Sequence, residues 1–314
     1  MKTLSPTTRT YLLLGLVMLL WAGNSIVGRA MRDDIPPFTL ALARWMIAAL
    51  VVWPFALPHL ATDRAALAKG WPWLLVLGLL GVAAFNAFLY KGLHYTTATN
   101  ALLIQAAVPA VVALLDRTLF RTRVAPLQAL GVAASTAGVV WIVARGQWST
   151  LAAMHFRVGD LLVGAAVIVW SLYTVLLRCR PRVAPATFIF VTFLIGAAAM
   201  AVLAAQEWAD GERVNWSVEV FAAFAYVGLL PSVVAYFIYN AATATIGAPR
   251  AGQAITLMPL FGALLSALLL GERLHGYHMA GMGLIVIGIV LSALALRTKD
   301  TGGALPPAAL QDRG

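Results

Sequence analysis

Ten aromatic and amide side chains stand inside long apolar segments of the chain, where a polar group must pair with another group or line a water-filled space. Most form pairs three or four residues apart, which places both members on one helix face. The ten are Trp21 with Asn24, Asn86 with Tyr90, Trp170 with Tyr173, Tyr236 with Tyr239, together with Gln105 and Gln253. If these faces converge, the rings would attract an ammonium group by cation–π contact, and the amides would hold a carboxylate. The pattern predicts a cavity that binds a small amphipathic molecule.

A second interpretation of the same residues is structural. Aromatic pairs in membrane helices pack against lipid or neighbouring helices, and amides form hydrogen bonds between helices. The four amides have a better claim to the cavity than an isolated ring, because an amide without a partner is disfavoured in hydrocarbon. Among the ten, Trp170, Tyr239 and Gln253 have the strongest claim.

Arg44 is the one charged residue well inside a predicted membrane segment. It stands about two turns from the outer end, so its side chain can extend to the interface. Outward extension or structural pairing is the favoured interpretation, and a role in a substrate path is the other. No Asp or Glu stands in the middle of any apolar segment. Since a buried carboxylate is the usual proton relay, this favours movement of a solute down its gradient.

Catalysis and metal binding are disfavoured by the available residue types. We find neither a nucleophile with a base nor a His-Glu-x-x-His motif, so an enzyme is not expected. Cys179 is the only cysteine, which excludes an internal disulfide and a cysteine metal cluster. His275 and His278 share a short loop without a clear third ligand, and the sequence predicts no metal and no cofactor.

The elements that carry these residues are ten apolar runs, each near the length that crosses about 30 Å of hydrocarbon. Of the 314 residues, 61% are hydrophobic and 11% are charged, whereas soluble domains carry roughly a quarter charged residues. The runs are 11–30, 38–58, 71–92, 97–115, 125–144, 159–178, 185–205, 217–239, 248–270 and 277–296. They predict an all-α integral membrane protein with ten transmembrane helices.

The net charge of +10 indicates membrane topology rather than nucleic-acid binding. With the N-terminus in the cytoplasm, 14 Lys and Arg residues fall in cytoplasmic segments and 7 in outer segments. This positive-inside bias places both termini in the cytoplasm. Residues 1–10 form a cytoplasmic N-terminus before an uncleaved first helix, and the polar segment 297–314 is predicted to be a disordered cytoplasmic tail.

The two halves of the chain repeat one another at a spacing of 149 or 150 residues. The matching pairs are Trp21 and Trp170, Gly78 and Gly228, Tyr90 and Tyr239, Pro109 and Pro259, Gly131 and Gly281, and Gly138 and Gly288. They predict two five-helix units, at 11–144 and 159–296, joined by an outer linker at 145–158. Because five is odd, the second unit enters the membrane from the opposite side, as in secondary transporters with a site between the halves.

Pro109 and Pro259 stand in the middle of matching runs. Proline removes a backbone hydrogen bond and kinks a helix. Paired interruptions of this kind indicate a hinge or gate near a binding site, and static helix shape is the alternative.

Small residues form a stripe on the fifth run and a similar one on the tenth. They are Gly131, Ser135 and Gly138, and Gly281, Gly283 and Gly288. Such stripes let helix backbones approach closely, within one chain or between two. The sequence is therefore compatible with either a monomer or a homodimer.

The segment from Ala235 to Val290 resembles the EamA repeat of the drug/metabolite transporter superfamily. The shared marks are the mid-helix Pro259, the sequence Gly271-Glu272-Arg273 and a Gly-rich last helix. The first half resembles it too, from Tyr90 to Phe120, with Asp116-Arg117 where the family usually has Glu-Arg. The two openings also match, and they read Trp21-Ala22-Gly23-Asn24 and Trp170-Ser171-Leu172-Tyr173. The resemblance covers roughly residues 11 to 296.

This resemblance implies two inverted bundles in a bacterial inner membrane, with alternating access to a central cavity. Within the superfamily, the chain looks most like the bacterial YddG-type exporters. The resemblance therefore implies export of aromatic and other bulky neutral amino acids from the cytoplasm. The absence of a carboxylate inside the apolar runs favours facilitated rather than ion-driven transport. A multidrug or small-metabolite exporter on the same fold, with or without proton coupling, is the alternative.

Overall fold

Helices joined by short turns make up the computed structural model, which describes residues 6–96, 101, 104–105, 107–122, 124–147, 149, 158–270 and 275–301. No strand occurs in these ranges, so the predicted all-helical class is confirmed. The helices are α1 (Pro6–Ala30), α2 (Pro37–Gly78), α3 (Phe85–Tyr95), α4 (Val108–Phe120), α5 (Pro126–Val143), α6 (Val158–Leu176), α7 (Pro185–Ala209), α8 (Val218–Gly228), α9 (Ala235–Ile246), α10 (Ala248–Gln253), α11 (Leu257–Leu270) and α12 (Gly276–Thr301).

Five helical stretches of the described chain are long and apolar enough to cross a bilayer. They are Thr8–Gly28, Pro37–Tyr95, Val158–Cys179, Pro185–Ala209 and Val218–Ile246. Shorter apolar helices cover Pro126–Ile142 and Gly276–Ser292. The fold is therefore that of a multi-pass membrane protein, while the count of ten crossings stays a prediction.

Within the second stretch, Pro37–Tyr95, the chain reverses its direction although the backbone is helical throughout. The Arg44 guanidinium lies 3.0 Å from the Asn86 amide oxygen, although 42 residues of straight helix would separate their backbones by about 63 Å. Trp45 and Gly78 both pack on the same part of α7, near Phe193 and Ile195. The chain thus turns back between Trp45 and Gly78. The segment 59–70 is helical, where a loop between the second and third runs was expected.

Two π-helical segments interrupt the helices at matching positions. Leu79–Ala84 joins α2 to α3, and Leu229–Val234 joins α8 to α9. Each begins directly after a glycine of the repeated pair Gly78 and Gly228. A π-turn shifts the backbone hydrogen bond by one residue and often marks a functional site.

Glycines on α5 and α12 bring these two helices into close contact along their length. A Cβ atom at Gly138 would lie 2.6 Å from the Gly281 carbonyl oxygen, and one at Gly288 would overlap Ser135 and the Gly131 carbonyl. The stripes therefore pack against each other within one chain. A Cβ at Gly283 would meet nothing within 4 Å.

The described acidic residues that are buried lie at helix ends, as expected. Glu207, near the end of α7, accepts hydrogen bonds from the backbone N–H groups of Phe38 and Thr39, both at 2.8 Å. It thereby binds the positive N-terminal end of α2. At the start of α6, Asp160 accepts a hydrogen bond from Thr96. These contacts fasten elements of opposite halves to each other.

Several predicted boundaries differ from the structure. Helix α4 extends to Phe120, beyond the expected end at 115, because Arg121 adopts a left-handed conformation (φ 53°) that ends the helix there. Helix α12 continues to Thr301, so the start of the predicted disordered tail at 297 is wrong. Glu272, Arg273, most of the linker 145–158 and the tail from 302 onward lie outside the described residues.

Candidate central cavity

An aromatic cluster lies where helices of both halves meet. The rings of Trp21 on α1 and Trp170 on α6 are 5.1 Å apart and perpendicular. Tyr236 and Tyr239 on α9 lie 6.2 Å and 5.1 Å from the Trp21 ring. The Phe85 ring also contacts Trp170, with the two ring planes tilted by 48° and their centroids 4.8 Å apart. The predicted helix faces of α1, α6 and α9 therefore converge on one place.

Arg44 enters the same region from α2 and is only 3% exposed. Its Nε donates to Ser232 Oγ at 2.6 Å. Its Nη1 donates to Asn86 Oδ1 and to Tyr90 Oη, both at 3.0 Å, and Nη2 donates to the Pro231 carbonyl at 3.2 Å. These bonds hold the side chain inward. The expected extension of Arg44 toward the outer interface is therefore wrong, and structural pairing is what the structure has.

The Arg44 charge has no carboxylate partner in the described part of the chain. The ion pairs there are Arg32 with Asp33 and Arg178 with Asp116. A guanidinium has five N–H donors, and one on Nη2 has no acceptor among the described residues. A buried cation without a counter-charge is costly and is the usual mark of a functional group inside a membrane.

The π-helical segments supply backbone carbonyls to this centre. The Ala235 N–H bonds to the Leu230 and Ser232 carbonyls and skips Pro231. The Pro231 carbonyl then accepts from Trp21 Nε1 at 2.9 Å as well as from Arg44. The shifted backbone register thus makes a polar acceptor available inside an apolar core.

The first half makes the equivalent arrangement. The Phe85 N–H bonds to the Leu80 carbonyl, so Gly81 loses its α-helical partner. The Gly81 carbonyl accepts from the Tyr236 hydroxyl of the second half. Gly81 and Pro231 are 150 residues apart, and each is bound by a side chain from the opposite half.

A cavity of about 30 Å³ remains between the cluster and Arg44, room for about one water molecule. Five of the ten predicted residues line it, namely Trp21, Asn24, Gln105, Trp170 and Tyr236, and Arg44 and Phe85 line it as well. In this conformation the centre is occluded in the sense that it has no room for a bulky solute. Arg44 was not among the ten, and a role in the substrate path was only its second interpretation, because a charge inside a run does not reveal which face of its helix points inward.

The other five predicted residues do not line this cavity. Asn86 and Tyr90 stand behind Arg44 and bind it. Tyr173 and Tyr239 lie beside the cavity and join α6 to α9 by side-chain hydrogen bonds. Gln253 points elsewhere, since its Nε2 donates to Ser135 Oγ and the Gly288 carbonyl, both at 3.0 Å. It acts as the interhelical bridge that was its alternative interpretation.

Both predicted hinge prolines follow an interruption in a helix. Pro259 is the third residue of α11, and the preceding turn, Ala254–Thr256, tightens to a 3₁₀ helix. The proline ring clashes with the carbonyl four residues earlier, which explains the change. Pro109 is the second residue of α4. Whether these breaks move stays a prediction.

A second and larger cavity, of about 490 Å³, lies at one end of α6 and α9. It is lined by Thr174 and Asn240 at its inner end and by the turn from Arg178 to Val183 at its mouth. We call it the vestibule. Tyr173 donates to Asn240 Oδ1 at 2.8 Å, and Thr174 and Tyr239 share a hydrogen bond of 3.0 Å. These two bonds join the helices that flank the vestibule and carry rings of the central cluster.

Comparison with known proteins gives one consistent family. The sequence pattern described as the EamA-like transporter family matches residues 8–144 and again 157–294. An uncharacterized transporter of Archaeoglobus fulgidus is 30% identical over 91% of this chain and 97% of its own length. The uncharacterized transporter YyaM of Bacillus subtilis is 26% identical over 83% of this chain and 86% of its own length. A solved crystal structure superposes with a TM-score of 0.72 at 21% identity, covering 93% of this chain and 99% of that one, which shows a shared fold.

Proposed function

The chain belongs to the EamA-like transporter family, and from that premise we propose that it exports aromatic and other bulky neutral amino acids from the cytoplasm. It is a multi-pass membrane transporter, and the members of its family are transporters rather than enzymes. The amino-acid substrate, the outward direction and the bacterial inner membrane are the proposed parts.

The observation that carries the proposal is the position of Arg44 beside the aromatic cluster. A guanidinium with a free donor binds a carboxylate as a charge-assisted hydrogen-bond partner. The Trp21, Trp170 and Phe85 rings offer apolar faces for a bulky side chain on the same cavity. No Asp or Glu lines the cavity within the described residues, so an ammonium group would contact the ring faces and the amide oxygens of Asn24 and Gln105.

Alternating access between two inverted units is the proposed mechanism. The family pattern matches twice, and α1 packs on α9 as α3 packs on α6, so equivalent helices cross between the halves. We propose ten crossings in units 11–144 and 159–296, with both termini in the cytoplasm. Transport requires the occluded centre to open, and the breaks before Pro109 and Pro259 are the proposed hinges.

The metabolite-export alternative keeps one specific observation in its favour. Arg44 would bind any organic carboxylate, with or without an ammonium group, because nothing acidic faces the cavity in the described chain. The same charge repels the flat cationic drugs that a multidrug exporter carries. The two candidates therefore differ in whether the substrate needs its amino group.

Uptake into proteoliposomes tests the proposal with a matched set of solutes. Tryptophan, phenylalanine, threonine and lysine are compared with indole-3-propionate, which lacks the amino group, and tryptamine, which lacks the carboxylate. Each is measured with and without a pH gradient, for the wild type, Arg44→Gln and the exposed control Arg64→Gln.

The proposal expects saturable tryptophan and phenylalanine uptake without a pH gradient, little tryptamine uptake, and a large fall in tryptophan transport in Arg44→Gln alone. Preference for indole-3-propionate over tryptophan would replace amino acids with aromatic acids as the substrate. Uptake of tryptamine at the rate of tryptophan, in the wild type and in both variants, would reject the carboxylate role of Arg44.

A further inference from the structure

The vestibule is much larger than the central cavity, and its chemistry differs from that of the centre. Its mouth is formed by the turn between α6 and α7, which carries Arg178, Arg180 and Arg182. The positive-inside count assigns this turn to the cytoplasmic face. At about 490 Å³ the vestibule falls in the range of small-molecule pockets, whereas the central cavity holds about one water.

The charges around the vestibule do not cancel. Arg178 pairs with Asp116 and lies over the Phe120 ring at 4.1 Å, which accounts for its charge. Arg180 and Arg182 form no ion pair among the described residues, and none of the lining residues is acidic. Asp63 lies next to the mouth, where its carboxylate accepts the Ala184 backbone N–H at 2.9 Å, and its single charge offsets only part of the two arginines. The vestibule therefore has a positive potential that attracts small anions.

Asn240 gives the inner end of the vestibule an unused donor. It is 4% exposed, and its Oδ1 accepts from Tyr173 while its Nδ2 has no acceptor in the described structure. A buried polar group without a partner is costly, so such a group in a native structure needs an explanation. An anionic group bound in the vestibule would accept this N–H.

We propose that the vestibule is a cytoplasmic binding subsite for the carboxylate of the substrate, recognised by Arg180, Arg182 and the Asn240 amide. The inference rests on the proposed function, because it takes the bound anion to be the transported carboxylate. The substrate binds here before it reaches the centre. The bonds of Tyr173 to Asn240 and of Thr174 to Tyr239 separate this subsite from the aromatic cluster.

The sharpest variant is Asn240→Asp, because it keeps the acceptor for Tyr173 and replaces only the free donor with a negative charge. The double variant Arg180→Gln/Arg182→Gln removes the charge at the mouth, and the corresponding double Lys variant preserves it. Binding of tryptophan and indole-3-propionate to the purified full chain in phosphatidylcholine nanodiscs is measured by calorimetry.

We expect the dissociation constant to rise about tenfold in Asn240→Asp and in the Gln double variant, with near-normal binding in the Lys double variant. Trp170→Ala, which alters the centre, should keep vestibule binding while its transport of tryptophan falls. Unchanged binding in both Asn240→Asp and the Gln double variant would overturn the subsite while leaving the proposed function intact. If the wild type binds these solutes but transports neither of them in proteoliposomes, the subsite stands and the proposed function is wrong.

An anionic lipid headgroup shares the chemistry of a carboxylate and lies close to the cytoplasmic surface. The binding experiment is therefore repeated in nanodiscs that contain phosphatidylglycerol. If the vestibule binds the substrate, tryptophan affinity stays within about twofold of its value in phosphatidylcholine. If phosphatidylglycerol displaces tryptophan, and the Gln double variant abolishes that competition, the occupant is a lipid headgroup and the inference is wrong.

Discussion

Trp21 and Trp170 occupy equivalent positions in the two halves and meet edge to face, with ring centroids 5.1 Å apart. Each stands on the first helix of its predicted unit, so the contact marks the place where the two units meet. Perpendicular rings at this distance have the favourable geometry of an aromatic pair. In the occluded centre, a bound aromatic side chain must take the place of part of this contact.

Replacing Trp170 by Ala should lower kcat/KM for tryptophan uptake about two- to tenfold, because one aromatic partner is worth about that much. Trp170→Phe keeps a ring and should retain most of the activity. The matched control is Trp53→Ala, since Trp53 is 50% exposed on the outer surface of α2. Equal losses in Trp170→Ala and Trp53→Ala would mean that the central ring has no special role.

Arg44→Lys should lower kcat/KM for tryptophan about tenfold or more, although the charge is kept. A lysine cannot reproduce the fork that binds Ser232, Asn86 and Pro231 while one donor stays free. Because the ammonium still attracts carboxylates, Arg44→Lys should keep the preference for tryptophan over tryptamine that Arg44→Gln loses. Competition between tryptophan and tryptamine for uptake measures this preference. If Arg44→Lys loses the preference as Arg44→Gln does, the charge of Arg44 does not recognise the carboxylate.

Gly288→Ala should destabilise the protein by about 1–3 kcal/mol through overpacking. The new methyl group would overlap Ser135 and the backbone of Gly131 on α5. Gly283→Ala is the control on the same helix, because its methyl group would enter open space. Unfolding in detergent micelles compares the two variants, and equal stability would show that α5 and α12 are not packed this closely.

The Asp116–Arg178 pair should show a coupling energy of about 0.5–3 kcal/mol in a double-mutant cycle with Asp116→Asn and Arg178→Gln. Asp116 is 3% exposed and binds Arg178 and Thr122, so it loses two partners if it is left alone. The pair Arg32–Asp33 is the exposed comparison and should couple by about 0–1 kcal/mol. Similar coupling energies in both pairs would show that burial does not strengthen the Asp116–Arg178 pair.

Pro259→Ala should lower the maximal transport rate several-fold without a loss of stability, if the 3₁₀ break before Pro259 is a hinge. Alanine restores the backbone donor and lets an unbroken helix form across Ala254–Thr256. Pro72→Ala on the exposed surface of α2 is the control. An unchanged rate in Pro259→Ala, measured by proteoliposome uptake, would support static shape.

Part of the aromatic cluster was predictable, because Trp21 and Trp170 repeat at a spacing of 149 residues and the tyrosines pair with other members at helical spacing. Trp21, Trp170 and Tyr236 converge as expected, and Asn24 and Gln105 join them at the cavity. Periodicity places residues on a common helix face, and duplication indicates that equivalent faces meet.

The polar interior was not predictable in the same way. Whether Asn86 binds a solute or Arg44 depends on how two helices are rotated about their axes, which spacing along one helix does not determine. The π-turns are likewise set by contacts between halves, since Tyr236 and Arg44 bind the displaced carbonyls. Gln253 has the same sequence context as a cavity residue yet bridges α5 and α12.

The displaced carbonyls of Gly81 and Pro231 also bear on how the protein is assembled. Gly81 depends on Tyr236 from the later half, and Pro231 depends on Trp21 and Arg44 from the earlier half. A half synthesised alone would carry a carbonyl without its partner in hydrocarbon, where such a group costs several kcal/mol. Each half thus completes the backbone of the other, and the two halves are expected to be stable in a membrane only when both are present.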